Sequence, residues 1–284
     1  MTTKANNMFG IPDIEKKSFR NNFINRVAVA GTYKANRSCT AQRQALKDRY
    51  SDTLPMQSDS PQQQYRINID VKTNQTSVDS NVDDSDRQVT LRSKNMQKEL
   101  TLFNNNFRYH ESGVAYSFST TFDEAVQPAI DYLKEVGVDQ LNMMKLQKTN
   151  VIGYEMAKQT PEAGPIPAWQ PASNLINPRL VPQYEAMLGT AQKIKQHISN
   201  IQLNDNDYVL TVKYGFNLTE TKQDGSMVKG QVILDLEIER KASITIGAVA
   251  DELQMMHREL YNAFLWSISE NFLNLLNQEG EASA

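Results

Sequence analysis

The sequence predicts an α+β protein of two sheet-plus-helix halves, with mainly antiparallel strands and a long C-terminal amphipathic helix. Apolar residues alternate over 208–218 and over 232–238, which is the period of a strand with one buried face. An Asp-Gly pair at 224–225 lies between these stretches and favours an antiparallel hairpin. Apolar residues then recur at three- and four-residue steps over 249–275, which predicts one continuous helix that covers the hairpin.

Composition indicates a globular protein of the cytoplasm. The 284 residues suffice for one large domain or two small ones, and no stretch approaches the apolar length of a membrane helix. The first residues lack the apolar segment of a secretory signal. A single cysteine, Cys39, excludes an internal disulfide and fits a reducing compartment. The net charge of −3 gives no general attraction to nucleic acid.

The N-terminal part is predicted to contain an arm and then the first α+β half. Residues 1–22 lack a hydrophobic period and are assigned to the arm, and the half spans 23–158. Its first strand is predicted over 23–34, with Val27 and Val29 pointing inward.

The middle of this half is predicted to alternate loops with strands. Residues 51–64 are rich in Ser, Asp, Pro and Gln and predict a loop. The alternation over 65–71 predicts a strand, whereas 73–86 has few large apolar residues and predicts an exposed, mobile excursion. Further strands are predicted at 89–91 and, in two short pieces, over 100–109.

A helix is predicted to open at Thr121, because Glu124 three residues later completes a capping box. Pro128 should bend this helix or break its hydrogen-bond ladder, and Gly137 is placed to end it. One long or two short strands should follow over 141–156.

A proline-rich connector over 159–182 should be extended and should separate the halves. The second half spans 183–277, with a helix predicted over 184–198 before the hairpin. Residues 278–284 are predicted to be a disordered tail.

No strong catalytic motif is present, and we predict no cofactor. The three histidines, His110, His197 and His257, are far apart and lack metal-ligand spacing. The sharpest catalytic candidate is the run Asp235, Glu237, Glu239 and Lys241, which has the spacing of a metal-dependent nuclease strand. The same run also fits the charged outer face of an amphipathic strand.

A second hypothesis is an RNA- or single-stranded-DNA-binding module. Basic and aromatic side chains are mixed on probable strands, as in sheets that stack single-stranded bases. The residues are Arg87, Arg92, Lys94, Lys98, Phe107, Arg108 and Tyr109.

The order of segments resembles a sporadically distributed bacterial family of uncharacterised proteins. Three stretches carry the likeness. The first is the helix entry 116–122, followed by Val126, Ile130 and Leu133, and the second is the strand 146–154 with Asn150 and Gly153, which leads towards Asn177-Pro178. The third is 234–238, followed by Leu253, His257, Leu260 and Phe264. The family's middle strand usually carries two arginines that this chain lacks. The resemblance implies the fold, and its patchy occurrence implies a mobile-element or phage-conflict locus.

The leading hypothesis is a non-catalytic interaction protein, an accessory or regulatory subunit that binds a protein partner or self-associates. It rests on the C-terminal helix, which is apolar on more than one side and therefore needs a second partner. The predicted partner-binding residues are Met255, Tyr261, Leu265, Trp266 and Leu273.

Overall fold

Among the residues that the structure describes, nine strands form one antiparallel sheet that runs through both predicted halves of the chain. The computed structural model describes residues 8–13, 19, 22–70, 75–113, 117–157, 170–181, 194–221 and 227–277. The strands are β1 Ile24–Thr32, β2 Met56–Asp70, β3 Gln75–Arg92, β4 Lys98–Leu102, β5 Asn106–Ser112, β6 Gln140–Leu141, β7 Met143–Ala157, β8 Gln196–Asp205, β9 Tyr208–Thr221, β10 Met227–Arg240 and β11 Ile244–Thr245. Their order in the large sheet is β2-β3-β4-β5-β1-β7-β10-β9-β8, and β6 pairs with β11 separately.

The α-helices are α1 Ser38–Ala41, α2 Arg43–Arg49, α3 Phe118–Thr121, α4 Gln127–Glu135, α5 Gln170–Leu175, α6 Val249–Ser267 and α7 Glu270–Asn277. The predicted α+β class, with mainly antiparallel strands and a long C-terminal amphipathic helix, is confirmed. Strands from the two predicted halves meet where β7 pairs with β10, in a register from Met227↔Ala157 to Arg240↔Met144.

The predicted loop at 51–64 and the predicted mobile excursion at 73–86 are both wrong in part, because β2 and β3 form a long hairpin through them. Backbone hydrogen bonds across a hairpin need no apolar side chains. A prediction based on apolar content therefore misses a polar ribbon of this kind.

The helix predicted over 184–198 is wrong at its end, because Ile198 lies in strand β8, opposite Gly215. Residues 184–193 of this predicted helix lie outside the described residues. The connector was predicted to be extended, yet 170–175 is helical. Pro171 is tolerated there because it occupies the first turn, where its missing N–H has no partner to lose. The rest of the connector up to 169 lies outside the described residues.

The helix predicted from Thr121 begins one turn earlier, at Phe118, so the predicted capping box is absent. The hydroxyl of Thr121 instead donates to the buried carboxylate of Glu111. A π-helical turn at Phe122–Val126 interrupts the ladder directly before Pro128, as the proline predicts. Gly137 follows the helix end with φ +88° and supplies the left-handed conformation expected there.

The C-terminal helix was predicted to be continuous but breaks at Ile268, whose backbone is extended. The cause is the segment after α5, which inserts at the break. Ile176 forms a β-bridge with Ile268, and the N–H groups of Asn177 and Ser269 donate to the carbonyls of Ser267 and Leu175. These bonds replace the helical ones that the extended residue gives up.

The sheet has two chemically different faces. The core face carries apolar residues such as Val29, Phe216 and Leu236, each at most 4% exposed, and the helices pack against it. The described contacts between helices and sheet use this face, for example the Tyr208 hydroxyl and Arg240 with Glu252 of α6. None of the helices in the described residues has the length and apolar character needed to cross a membrane.

Candidate binding face of the sheet

The other side of the sheet, which we call the open face, carries polar and charged side chains in rows that cross the strands. One row reads Arg92, Glu99, His110, Ala28, Gln147 and Glu237, and the next reads Thr90, Thr101, Arg108, Ala30, Lys145 and Glu239. These residues alternate with core-face residues because successive side chains of a strand point to opposite faces. Thr90 and Thr101 are themselves buried, and the others are half-buried or exposed. Each row thereby brings together residues from six strands, β3, β4, β5, β1, β7 and β10.

A depression runs over β1 in the middle of this face, and we call it the sheet trough. Its floor contains Ala28 and Ala30, whose side chains are too short to fill the space between neighbouring strands. Arg108 and His110 line it from β5, and Lys145 and Gln147 line it from β7. The cavity has a volume of about 620 Å³, which is within the range of small-molecule sites.

The charges of the trough are only partly compensated. Glu237 forms an ion pair with Lys145 at 2.9 Å, and Glu99 pairs with Arg92. Arg26 and Arg108 are exposed, and neither forms an ion pair with another described residue. The guanidinium of Arg108 lies 6.0 Å from the centre of the Phe103 ring, a cation–π distance. Two arginines are therefore available to an anion.

His110 reports on this electrostatic environment. Burial lowers the pKa of His110, Arg26 and Arg92 lower it further, and only Glu99 opposes them. We expect NMR titration of His110 to give a midpoint below the ordinary value of about 6.5. The unfolded chain binds the His110 proton more tightly than the folded protein does. The free energy of unfolding should therefore fall as the pH drops from the ordinary value towards the lower midpoint of the folded protein. In Glu99→Gln the midpoint should fall further, and a midpoint above the ordinary value would contradict this assignment.

Three nuclease candidates lie on the open face; Asp235 and Glu237 are held by neighbouring residues, whereas Glu239 has no side-chain hydrogen bond or ion pair with a described residue. Asp235 accepts hydrogen bonds from Gln147 at 3.0 Å and Thr149 at 2.8 Å, and Glu237 is paired with Lys145. Lys241 lies beyond the end of β10, where its N–H donates to the carbonyl of Asp207. Within the described ranges, no three His, Cys, Asp or Glu side chains are grouped to hold a metal ion.

The nucleic-acid candidates are divided between the two faces. Phe107 and Tyr109 are fully buried on the core face, so neither ring can stack on a base. Lys98 points to the same side, 3.9 Å from Glu111. Arg92 and Arg108 do lie on the open face, and Lys94 is exposed in the turn after β3. Arg87 is half-buried near the irregular pairing of β3 with β2.

The predicted partner-binding residues of the C-terminal helices are half-buried. Four of them pack against the protein's own core, namely Met255, Leu265, Trp266 and Leu273. Other parts of the chain cover the second side of α6. The Phe19 ring lies 6.4 Å from that of Tyr261, Asn177 donates to the Trp266 carbonyl, and Asp13 pairs with Arg258. Among the described residues, the exposed large apolar side chains are Met56 and Met96. The excess apolar surface of the helix is thus largely used within the fold.

Sequence reasoning missed the trough residues Arg26, Lys145 and Gln147. A signal for them exists in β1, where Arg26 and two alanines alternate with Val27 and Val29. Small residues on the outer side of a central strand indicate space above it. Their neighbours, however, come from distant parts of the sequence, and strand order was not predicted.

Cys39 is completely buried, and burial raises the pKa of its thiol to about 11. We therefore expect no reaction with a thiol reagent such as Ellman's reagent in the native protein at pH 8, and full reaction after denaturation. Rapid modification of the native protein would contradict this packing.

A scan against protein-family models finds no match for this chain. A search of the curated proteins finds no match either.

Proposed function

We propose that the protein is a non-catalytic interaction protein, an accessory or regulatory subunit that binds a protein partner through its open face. The observation that carries this proposal is the one-sided packing of the helices. Antiparallel sheets often leave one face to water, so exposure alone is a weak argument. The additional support is the trough, with two arginines that have no ion pair among the described residues.

The acidic residues of the open face support binding more than catalysis. Asp235 and Glu237 are both engaged by neighbouring side chains, as expected of groups that fix the shape of a surface. A general base or metal ligand needs its lone pairs directed to the reacting group. The resemblance to the sporadically distributed family also favours an accessory role, in the cytoplasm of a bacterium and in a mobile-element or phage-conflict locus.

Site-specific photo-crosslinking tests the proposal in the native cell. Benzoylphenylalanine is placed at Lys213, which is exposed on the open face, and in a matched variant at Gln254, which is exposed on α6. We expect a discrete crosslinked species from position 213 and none, or a different one, from position 254. The same species from both positions, or none from position 213, would contradict binding through the open face.

A further inference from the structure

The sheet trough has the shape of a ligand site because its floor is made of small residues at the centre of a wide sheet. Ala28 and Ala30 are each flanked by longer side chains, His110 and Gln147 in one row and Arg108 and Lys145 in the other. The resulting cavity of about 620 Å³ could hold a molecule of nucleotide size.

The polar groups that line the trough are mainly hydrogen-bond donors. Arg26 and Arg108 offer guanidinium forks, which bind carboxylate or phosphate groups in a bidentate manner. Gln147 offers an amide, although its nitrogen is already 3.0 Å from Asp235. Of the two acids in the lining, Glu99 is paired with Arg92 and Glu237 with Lys145. The uncompensated charge is therefore positive.

We propose that the sheet trough binds a small organic anion that carries two or more carboxylate or phosphate groups, with Arg26 and Arg108 as its principal contacts. This inference goes beyond the proposed function, since the site does not depend on which protein covers the open face.

The spacing of the two arginines argues for more than one anionic group. Arg108 is opposite Ala30, and Arg26 precedes Ala30 by four positions on β1. Four strand residues span about 13 Å, so each guanidinium can hold a separate group more easily than both can hold one. A multivalent anion should therefore bind more tightly than inorganic phosphate.

Isothermal titration calorimetry of the full-length protein tests this with citrate, ADP without metal, and inorganic phosphate. Citrate or ADP should bind with a Kd of about 1 mM or tighter, and more tightly than inorganic phosphate. Arg26→Gln and Arg108→Gln should each weaken binding by at least about tenfold, because each removes a charge-assisted hydrogen bond.

Two further variants separate a specific site from loss of folding or general charge. Lys213→Gln removes a positive charge from the open face outside the trough and should leave the affinity within about twofold. Glu237→Gln releases Lys145 and should tighten binding several-fold, which an unfolded variant cannot do.

The proposal is overturned if neither citrate nor ADP binds, or if Lys213→Gln weakens binding as much as Arg108→Gln does. It is also overturned if only single-stranded oligonucleotides bind, with an affinity that falls steeply with salt, since that would indicate a nucleic-acid surface. The crosslinking result for a protein partner is independent of each of these outcomes.

Discussion

Replacing Gly215 by alanine is expected to destabilise the protein by about 3 kcal/mol or more, the upper end of the range for steric overpacking. A Cβ atom at this position would lie 1.9 Å from the carbonyl oxygen of His197 and 2.9 Å from the Cα of Ile198. Both atoms belong to the backbone of β8, so no side-chain rotation can relieve the clash. The outer strand must shift away from β9, and urea denaturation should show a clear loss in the free energy of unfolding.

Gly153→Ala is the matched control, because Gly153 lies in strand β7 with no atom within 4 Å of an added Cβ. It should change the free energy of unfolding by less than about 1 kcal/mol, because the alanine fits without contact and reduces the entropy of the unfolded chain. Equal stabilities of the two alanine variants would contradict the close approach of β8 to β9.

Glu252→Ala should cost about 3 kcal/mol, the lower end of the range for breaking a buried ion pair. Its side chain is only 9% exposed and accepts from the Tyr208 hydroxyl at 2.7 Å and from the Arg240 guanidinium. Removing the carboxylate leaves both donors without this acceptor beneath the first turn of α6. The lower end is expected because Arg240 is 25% exposed, so water can partly solvate it.

The exposed ion pair between Arg49 and Glu135 provides the comparison, with side chains 27% and 59% exposed. Glu135→Ala should cost at most about 1 kcal/mol. The double variant Arg240→Met/Glu252→Leu should recover much of the loss, since apolar residues of similar size often replace a buried pair without cost. If chemical denaturation gave Glu252→Ala and Glu135→Ala the same midpoint, the buried ion pair would stabilise the protein no more than the exposed one does.

Strands with one buried face were the most predictable part of the fold. The alternation of Leu210, Val212 and Phe216, and of Leu234 and Leu236, is a direct result of burying every second side chain. Alternation identified residues 65–70 of β2 and 89–91 of β3, but the polar segments 56–64 and 75–86 of the same hairpin have no such pattern and could not be found in this way. Ile194 and Ile198 suggested a helix because a spacing of four residues also fits a helical stripe.

The candidate site was harder to predict than the fold, because it depends on strand order. Arg26, Arg108 and Lys145 meet only because β1 is inserted between β5 and β7, and no local pattern encodes that order. The partner-binding role predicted for the long helix stays a prediction. The apolar residues of this helix suggested an external partner, but Phe19, Asn177 and the core cover much of that surface.

Thiol labelling of two variants, each with one cysteine introduced on β9, tests the one-sided sheet most directly, because the buried Cys39 gives no background in the native protein. Lys213 is exposed on the open face, and the neighbouring Val212 is 0% exposed on the core face. We predict that Lys213→Cys reacts at nearly the rate of an unfolded chain, while Val212→Cys is modified only on unfolding. If both cysteines were equally protected, the open face would be covered within the protein itself, and it could not be a binding surface.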